Sequence, residues 1–305
     1  MISKPITIEK NKELRPFLSN KIKSFAQFFF EAKTREDLLA AKKKSLEMGV
    51  KLIVLGGGSN LAATNNRVSG LVVKNSYVKK TLIEERGNYI FMSVSSGYPV
   101  TKLINENIEH GYSGLEYHFG LPGTVGGAIC MNSKWTKPLT YFGDCLVEAW
   151  LVDDSGMEKK VGRDYFRFGY DYSFIQDSHE IFLDGLFRFK KESPEVLKKR
   201  AQESLVYRKE TQPFGKISSG CFFKNISERE QLDCRLPTKS AGYLIDKAGL
   251  KKFRVGGIYV SDKHANFILN DGSGSPSDLK KMIEIIKDTV KKKFGIELKE
   301  EVVII

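Results

Sequence analysis

The sequence predicts an α+β protein, and three features predict it. Val50-Lys51-Leu52-Ile53-Val54-Leu55 is a short, β-branched apolar run that ends directly in Gly56-Gly57-Gly58, the pattern of a strand stopped by a glycine turn. The next residues, Leu61-Ala62-Ala63-Thr64-Asn65-Asn66-Arg67, form a polar turn that leads to another strand-like run at Gly70-Leu71-Val72-Val73. A doubly wound nucleotide-binding fold would open a helix at that point. Finally, strands dominate from Tyr89 to about Phe189, with Tyr89-Ile90-Phe91-Met92-Ser93-Val94, Ala149-Trp150-Leu151-Val152 and Ile181-Phe182-Leu183 as examples.

The remaining elements follow in chain order. Thr34-Arg35-Glu36-Asp37 reads as a helix start with Thr34 as N-cap; Leu38, Leu39 and Leu46 fall on one side before Gly49 stops the helix. A helix over Val100–His110 feeds a second glycine-rich segment. The charged, helix-like stretch Glu192–Lys209 marks a domain boundary. Beyond it lies a β-α-β unit. Ala265–Asn270 is a strand, and Gly272–Pro276 a loop. A helix from Ser277 buries Leu279, Ile283, Ile286 and Val290 and ends at Gly295, and Glu297–Ile305 closes the chain as a strand.

Composition sets outer limits. The chain has 305 residues, 41% hydrophobic and 28% charged, which suits a soluble globular protein of two or three domains. Met1-Ile2-Ser3-Lys4-Pro5-Ile6 shows no apolar leader, and no run approaches the ~20 apolar residues of a membrane span. Cys130, Cys145, Cys221 and Cys234 form no C-x-x-C pair, so neither a metal site nor a disulfide framework is expected, and a reducing cytoplasm fits best. The formal net charge is +12. No nucleic-acid module accompanies it. The charge fits either a solvated basic surface or a positive field that attracts anionic small molecules. Lys42-Lys43-Lys44 and Lys291-Lys292-Lys293 sit in helix-like segments and read as wet faces.

Two glycine-rich segments carry most of the functional information. The first is Leu55-Gly56-Gly57-Gly58-Ser59-Asn60, and the second, about sixty residues later, is Gly120-Leu121-Pro122-Gly123-Thr124-Val125-Gly126-Gly127-Ala128. Such runs let the backbone approach a ligand and aim successive N–H groups at an anion such as a pyrophosphate. Two of them suggest a large dinucleotide held between two loops.

With these loops placed, the chain resembles the UDP-N-acetylenolpyruvoylglucosamine reductase (MurB) family of flavoenzymes. The matching segments are Leu55–Leu61, Gly114-Leu115-Glu116 leading into Gly120–Ala128 and Met131-Asn132, then Gln212-Pro213 before Gly220-Cys221-Phe222-Phe223-Lys224-Asn225. Ala241–Leu250 and Lys263-His264-Ala265-Asn266-Phe267 complete the series in the family's own order. The resemblance implies a two-part FAD-binding domain of the MurB and vanillyl-alcohol-oxidase (PCMH) type, residues 1–78 and 79–195, followed by a substrate-binding α+β domain, residues 196–305. It implies non-covalent FAD, NADPH as co-substrate, and reduction of UDP-N-acetylglucosamine enolpyruvate to UDP-N-acetylmuramate for peptidoglycan synthesis. A cytoplasmic monomer acting on a UDP-sugar, without nucleic-acid or membrane partners, goes with this. The length resembles the family's shorter type, which lacks an extra tyrosine-bearing loop.

The resemblance also assigns residues. Gly56, Gly57, Gly58, Ser59 and Asn60 match the first FAD loop; Pro122, Gly123, Thr124, Gly126, Gly127 and Ala128 match the second. Glu301 falls at the family's C-terminal glutamate, within Leu298-Lys299-Glu300-Glu301-Val302, where the family's proline is missing. Cys221 stands where most members carry a proton-donating serine. A free thiol, with a reference pKa of about 8.5, stays mostly protonated near neutrality and is a better acid than a hydroxyl. Tyr170, Lys224 and Asn225 are implied substrate contacts.

Three further positions depart from the family pattern. Asp171 occupies the place of an arginine in Tyr-Arg-x-Ser, read here as Tyr170-Asp171-Tyr172-Ser173. That arginine meets the substrate carboxylate, so the sign is reversed. A like-charge contact at ~4 Å costs ~1 kcal/mol in water and ~4 kcal/mol at an effective dielectric of about 20. A replacement cation from Arg163, Arg167 or Arg254, a protonated Asp171 beside Glu301, or a MurB-like paralogue with another substrate or no reductase activity would each account for it. Ile22-Lys23-Ser24-Phe25-Ala26 replaces an Ile-Gly-Gly-x-Ala stretch near the cofactor, and Ser133-Lys134 replaces Ala-Gly after Met131-Asn132. His264 and His118 read as structural residues rather than a covalent flavin anchor.

Overall fold

The computed structural model describes residues 6–305, so Met1–Pro5, most of the stretch read as lacking a leader, lies outside the described residues. The chain forms two compact units. One takes the residues up to Lys10, Gln27–Gly57 and Ser69–Arg208; the other takes Asn11–Ala26, Gly58–Val68 and Lys209–Ile305. The division falls inside the first glycine run, between Gly57 and Gly58.

The first unit opens with a four-stranded sheet. Its strands are β1 (Glu9–Glu13), β2 (Phe25–Ala32), β3 (Leu52–Leu55) and β5 (Arg67–Asn75), in the order β1-β2-β5-β3; β4 (Leu61–Ala62), between β3 and β5 in the chain, belongs elsewhere. β3 and β5 run parallel, Leu52 opposite Leu71 and Leu55 opposite Lys74. Helix α1 (Arg35–Glu47) starts as expected. Thr34 Oγ1 accepts from the Asp37 N–H at 3.1 Å while the Asp37 carboxylate accepts from the Thr34 N–H at 3.0 Å, a reciprocal cap that satisfies two otherwise orphaned donors.

The buried face of α1 differs from the expected one. It is Leu38, Ala41, Lys42 and Ser45, whereas Leu46 is 47% exposed. Lys42, read as a wet residue, is buried, with its ammonium 2.7 Å from Asp154. Its aliphatic stem covers apolar surface and only the charged end needs a polar partner.

A second, larger sheet is antiparallel along its main path. β6 (Lys80–Arg86), β7 (Tyr89–Ser95), β11 (Leu146–Val152), β12 (Glu158–Gly162) and β13 (Ile181–Lys191) lie in the order β12-β11-β13-β7-β6, and β8 (Tyr112–Ser113) adds to β13. The hairpin of β9 (Lys134–Thr136) and β10 (Leu139–Tyr141) stands apart. Val100, Leu103 and Ile104 of α2 (Val100–Glu109) join Val125 and Ile129 of α3 (Val125–Cys130) in one core with Val94, Leu151 and Phe187. The turn of helix α4 (Ile175–Ser178) precedes β13, and α5 (Pro194–Thr211) follows it.

In the second unit β14 (Ser218–Cys221), β15 (Arg254–Val255), β16 (Ile258–Val260) and β17 (Phe267–Asn270) form a sheet in the order β14-β17-β16-β15, with α6 (Glu228–Asp233) and α7 (Ala241–Lys247) between β14 and β15. Helix α8 (Pro276–Phe294) buries Leu279, Ile283, Ile286 and Val290, as its periodicity requires, and ends at Gly295 with φ +70°. The expected terminal strand is shorter. Only β18 (Val303–Ile304) is regular, and it pairs in parallel with β4, not with the β17 sheet. The N–H groups of Glu301 and Val302 share the carbonyl of Phe222, which interrupts any ladder through Glu297–Ile305. Among the described residues no helix is long and apolar enough to cross a membrane.

Candidate active site

The two glycine segments, far apart in sequence, touch within the first unit. A methyl group at Gly57 would lie 2.5 Å from the Cα of Gly123, and one at Gly56 would lie 2.5 Å from Thr124 Oγ1. Only glycine permits that approach. The second loop is docked in turn: Val125 and Gly126 donate to the carbonyls of Tyr98 at 2.9 Å and Ser96 at 2.8 Å, and Val100 donates to Gly123 at 3.1 Å. Thr124 holds the N-cap position of α3 but its side chain does not cap the helix. Pro122 and Gly127 are exposed; Ala128 is buried.

A residue that sequence reasoning missed joins the first loop. Lys74 of β5 donates from Nζ to the carbonyl of Gly56. Its pKa is lowered by burial, with a smaller opposing effect from Glu31. Register gives the reason, because Lys74 faces Leu55 on β3, but nothing in the local sequence marks it.

Gly58, Ser59 and Asn60 belong to the second unit. Gly58 adopts φ +67°, and a methyl group there would lie 1.9 Å from the carbonyl oxygen of Phe17. The Asn60 side-chain amide donates to the carbonyl of Glu301 at 3.2 Å, and the Asn60 carbonyl accepts from the Val303 N–H at 3.0 Å.

The same unit brings Cys221 and Glu301 onto neighbouring strands of backbone. Cys221 ends β14, opposite Phe267. The Glu301 N–H donates to the Phe222 carbonyl at 2.8 Å, and the Lys224 N–H donates to the Lys299 carbonyl at 2.8 Å. The two adjacent acids differ: the Glu300 carboxylate accepts from Lys287 of α8 at 2.9 Å. Asn225 does structural duty, its Oδ1 accepting from the Ala241 N–H at the start of α7 at 3.1 Å.

Asp171 is buried and adopts φ +48°. Its loop is tied down on several sides. Asn132 donates to the Gly169 carbonyl at 2.9 Å, Ser173 and Gln176 both donate to the Cys130 carbonyl, and Gln176 also donates to Asp171's own carbonyl at 3.2 Å. An ammonium meets its carboxylate: Lys134 Nζ is 3.4 Å from Oδ2 and 3.3 Å from the centre of the Tyr170 ring. Arg163 instead donates to the Gly143 carbonyl and to Asp144, and Arg167 lies 4.5 Å over Phe174. Arg254, in the other unit, pairs with Asp271.

Two histidines, His118 and His264, pack within the fold. His118 is fully buried, and burial first, then the charge of Arg208, pushes its pKa down to about 3. His264 accepts from the Asn266 N–H at 3.3 Å and stands edge-on to Phe267.

Comparison with known proteins adds the family. Residues 212–305 match the model of the UDP-N-acetylenolpyruvoylglucosamine reductase C-terminal domain, and residues 26–162 match an FAD binding domain. A reductase of that name from Chlamydia trachomatis is 33% identical over 99% of this chain and 97% of its own length. The chain belongs to the UDP-N-acetylenolpyruvoylglucosamine reductase family. The family enzyme from Acaryochloris marina is 30% identical over 96% of this chain and 92% of its own. The crystal structure of the Thermus caldophilus family member superimposes with a TM-score of 0.78 at 27% identity, covering 98% of both chains.

The residues present fit FAD. Gly56 and Gly57 lie against Gly123 and Thr124 with no room for a single added methyl group, leaving backbone rather than side chains at the loop surface. Lys74 sets a half-buried cation on the first loop, the complement that a pyrophosphate dianion needs.

Proposed function

We propose that this chain catalyses the NADPH-dependent reduction of UDP-N-acetylglucosamine enolpyruvate to UDP-N-acetylmuramate, the step its relatives' name describes. The observation that carries this reading beyond family membership is the Glu301–Phe222 backbone bond, which sets the Glu301 segment beside Cys221. FAD, when bound, would supply the hydride-transfer chemistry between NADPH and the enolpyruvyl double bond. Gly56, Gly57, Gly58, Ser59, Asn60, Pro122, Gly123, Thr124, Gly126, Gly127 and Ala128 hold the cofactor, with Lys74 offsetting pyrophosphate charge. Cys221 gives its thiol proton to the neighbouring carbon, and Glu301 is its partner at the intermediate. Tyr170, Lys224 and Asn225 line the substrate's path. In functional terms residues 1–78 and 79–195 serve FAD and 196–305 the substrate, and the protein works as a cytoplasmic monomer.

Asp171 favours one second reading, a flavoprotein of this family with another substrate. Anaerobic stopped-flow separates the two. FAD-loaded protein is reduced with NADPH and mixed with UDP-N-acetylglucosamine enolpyruvate. Rapid reoxidation with formation of UDP-N-acetylmuramate supports the proposal. Reduction by NADPH with no substrate-driven reoxidation refutes it in favour of the second reading.

A further inference from the structure

Two departures from the family pattern, Lys134 and Asp171, are separated by 36 intervening residues in the chain and meet in space. Their side chains are only 20% and 8% exposed. A buried ion pair recovers its desolvation penalty only with good geometry and further partners. Lys134 has a second partner in the Tyr170 ring, whose face attracts a cation most strongly when desolvated. The anchorage is rigid: Asn132, Ser173 and Gln176 pin the Asp171 loop to the end of α3. α3 begins in the second glycine loop, and Lys134 follows its last residue, Cys130, by four positions.

We propose that Lys134, held by Asp171 and Tyr170, is a substrate-binding residue whose ammonium receives the carboxylate of the enolpyruvyl group. This rests on the reductase reading above. The proposed substrate carries a carboxylate beside the reacting double bond, and a carboxylate leaving water needs a cation. An ammonium has three donors and can serve two carboxylates together. Asp171 takes one donor at 3.4 Å and the Tyr170 ring covers one side. Asp171 therefore fixes the cation in place while leaving it able to bind a second anion. Arg163 and Arg167, the guanidinium groups nearest in sequence, are committed to Asp144 and Phe174.

The test compares two ligands that share the UDP-sugar and differ in the lactyl ether that bears the carboxylate. UDP-N-acetylmuramate carries it, and UDP-N-acetylglucosamine does not. Calorimetric titration of both into FAD-loaded wild type, Lys134→Met and Lys134→Arg isolates that group. Losing a hydrogen bond to a charged partner weakens binding by about 10- to 100-fold. We expect a loss of that size for UDP-N-acetylmuramate in Lys134→Met, a change under about threefold for UDP-N-acetylglucosamine, and recovery of most of the loss in Lys134→Arg. Lys134→Met leaves Asp171 without its lysine, so the double variant Lys134→Met/Asp171→Asn guards against misfolding and is expected to show the same selective loss. Equal weakening of both ligands, or of neither, overturns the assignment while leaving the reductase reading in place. Wild type that holds FAD yet binds no UDP-N-acetylmuramate overturns both.

Discussion

The N–H of Glu301 donates to the carbonyl of Phe222 at 2.8 Å, while its neighbour Glu300 turns its carboxylate to Lys287 of α8 at 2.9 Å. One acid is thereby placed next to the Cys221 strand and the other is spent on a partly exposed ion pair. Removing that pair costs at most about 1 kcal/mol. Glu300→Gln is therefore expected to keep turnover within about threefold and to lower the unfolding free energy only slightly. Glu301→Gln is expected to reduce kcat about 100-fold or more while retaining FAD. Steady-state kinetics on both variants decides it; comparable losses would remove Glu301 from the proposed chemistry.

Gly57→Ala tests the meeting of the two glycine loops. The added methyl group would lie 2.5 Å from the Gly123 Cα, and backbone cannot step aside as a flexible side chain can. Overpacking of this kind costs about 1–3 kcal/mol. The variant's unfolding free energy from urea titration should be lower by that amount, and it should lose FAD on gel filtration. Gly162→Ala, outside both loops, is the control, since a methyl group there finds nothing within 4 Å. A Gly57→Ala protein as yellow and as stable as wild type would mean that the loops part readily.

Much of the scaffold was legible because its signals are local. Thr34 with Asp37, and Gly295 after Val290, are start and stop marks within one turn of the helices they bound. The glycine runs were legible for the same reason. What the sequence concealed depends on distant pairing. Lys134 was visible only as an oddity after Met131-Asn132, and Asp171 only as a wrong-signed residue. Their meeting is set by Asn132 reaching Gly169, not by any spacing, so the sequence offers only arginines nearer in the chain as replacement cations. Lys42 was misread because periodicity counts lysine as polar and ignores its stem. β18 was misassigned because its partner is the two-residue β4, too short to register as a strand.

Cys221 offers a chemical prediction. If its thiol gives the proton, Cys221→Ser restores the residue most members carry and should stay within about tenfold of wild-type kcat. Cys221→Ala should lose about 10²- to 10⁴-fold, the usual worth of a positioned acid. Flavin reduction by NADPH should be unchanged in both, because the proton is needed only in the second half-reaction. An alanine variant with near-normal substrate-driven reoxidation would make Cys221 a packing residue.

The pH dependence of stability should carry the mark of His118. Burial keeps its imidazole neutral, with a pKa of about 3 in the fold against about 6.5 in an unfolded chain. As pH falls below about 6.5 the unfolded state takes up a proton that the folded state refuses, so the folded state loses stability by about 1.4 kcal/mol per pH unit. The loss continues until the folded pKa is reached, and above about 6.5 the full stability is present. Between pH 7.5 and 4.5 this one residue should remove on the order of 2–3 kcal/mol. His118→Leu cannot take up the proton in either state, and it gives up a 3.4 Å contact with Thr140 and an edge-on ring contact with Phe142. Urea unfolding of both proteins at the two pH values measures the difference. The variant's stability should fall by about 2 kcal/mol less than that of wild type, and identical losses would mean that other groups govern the acid limb.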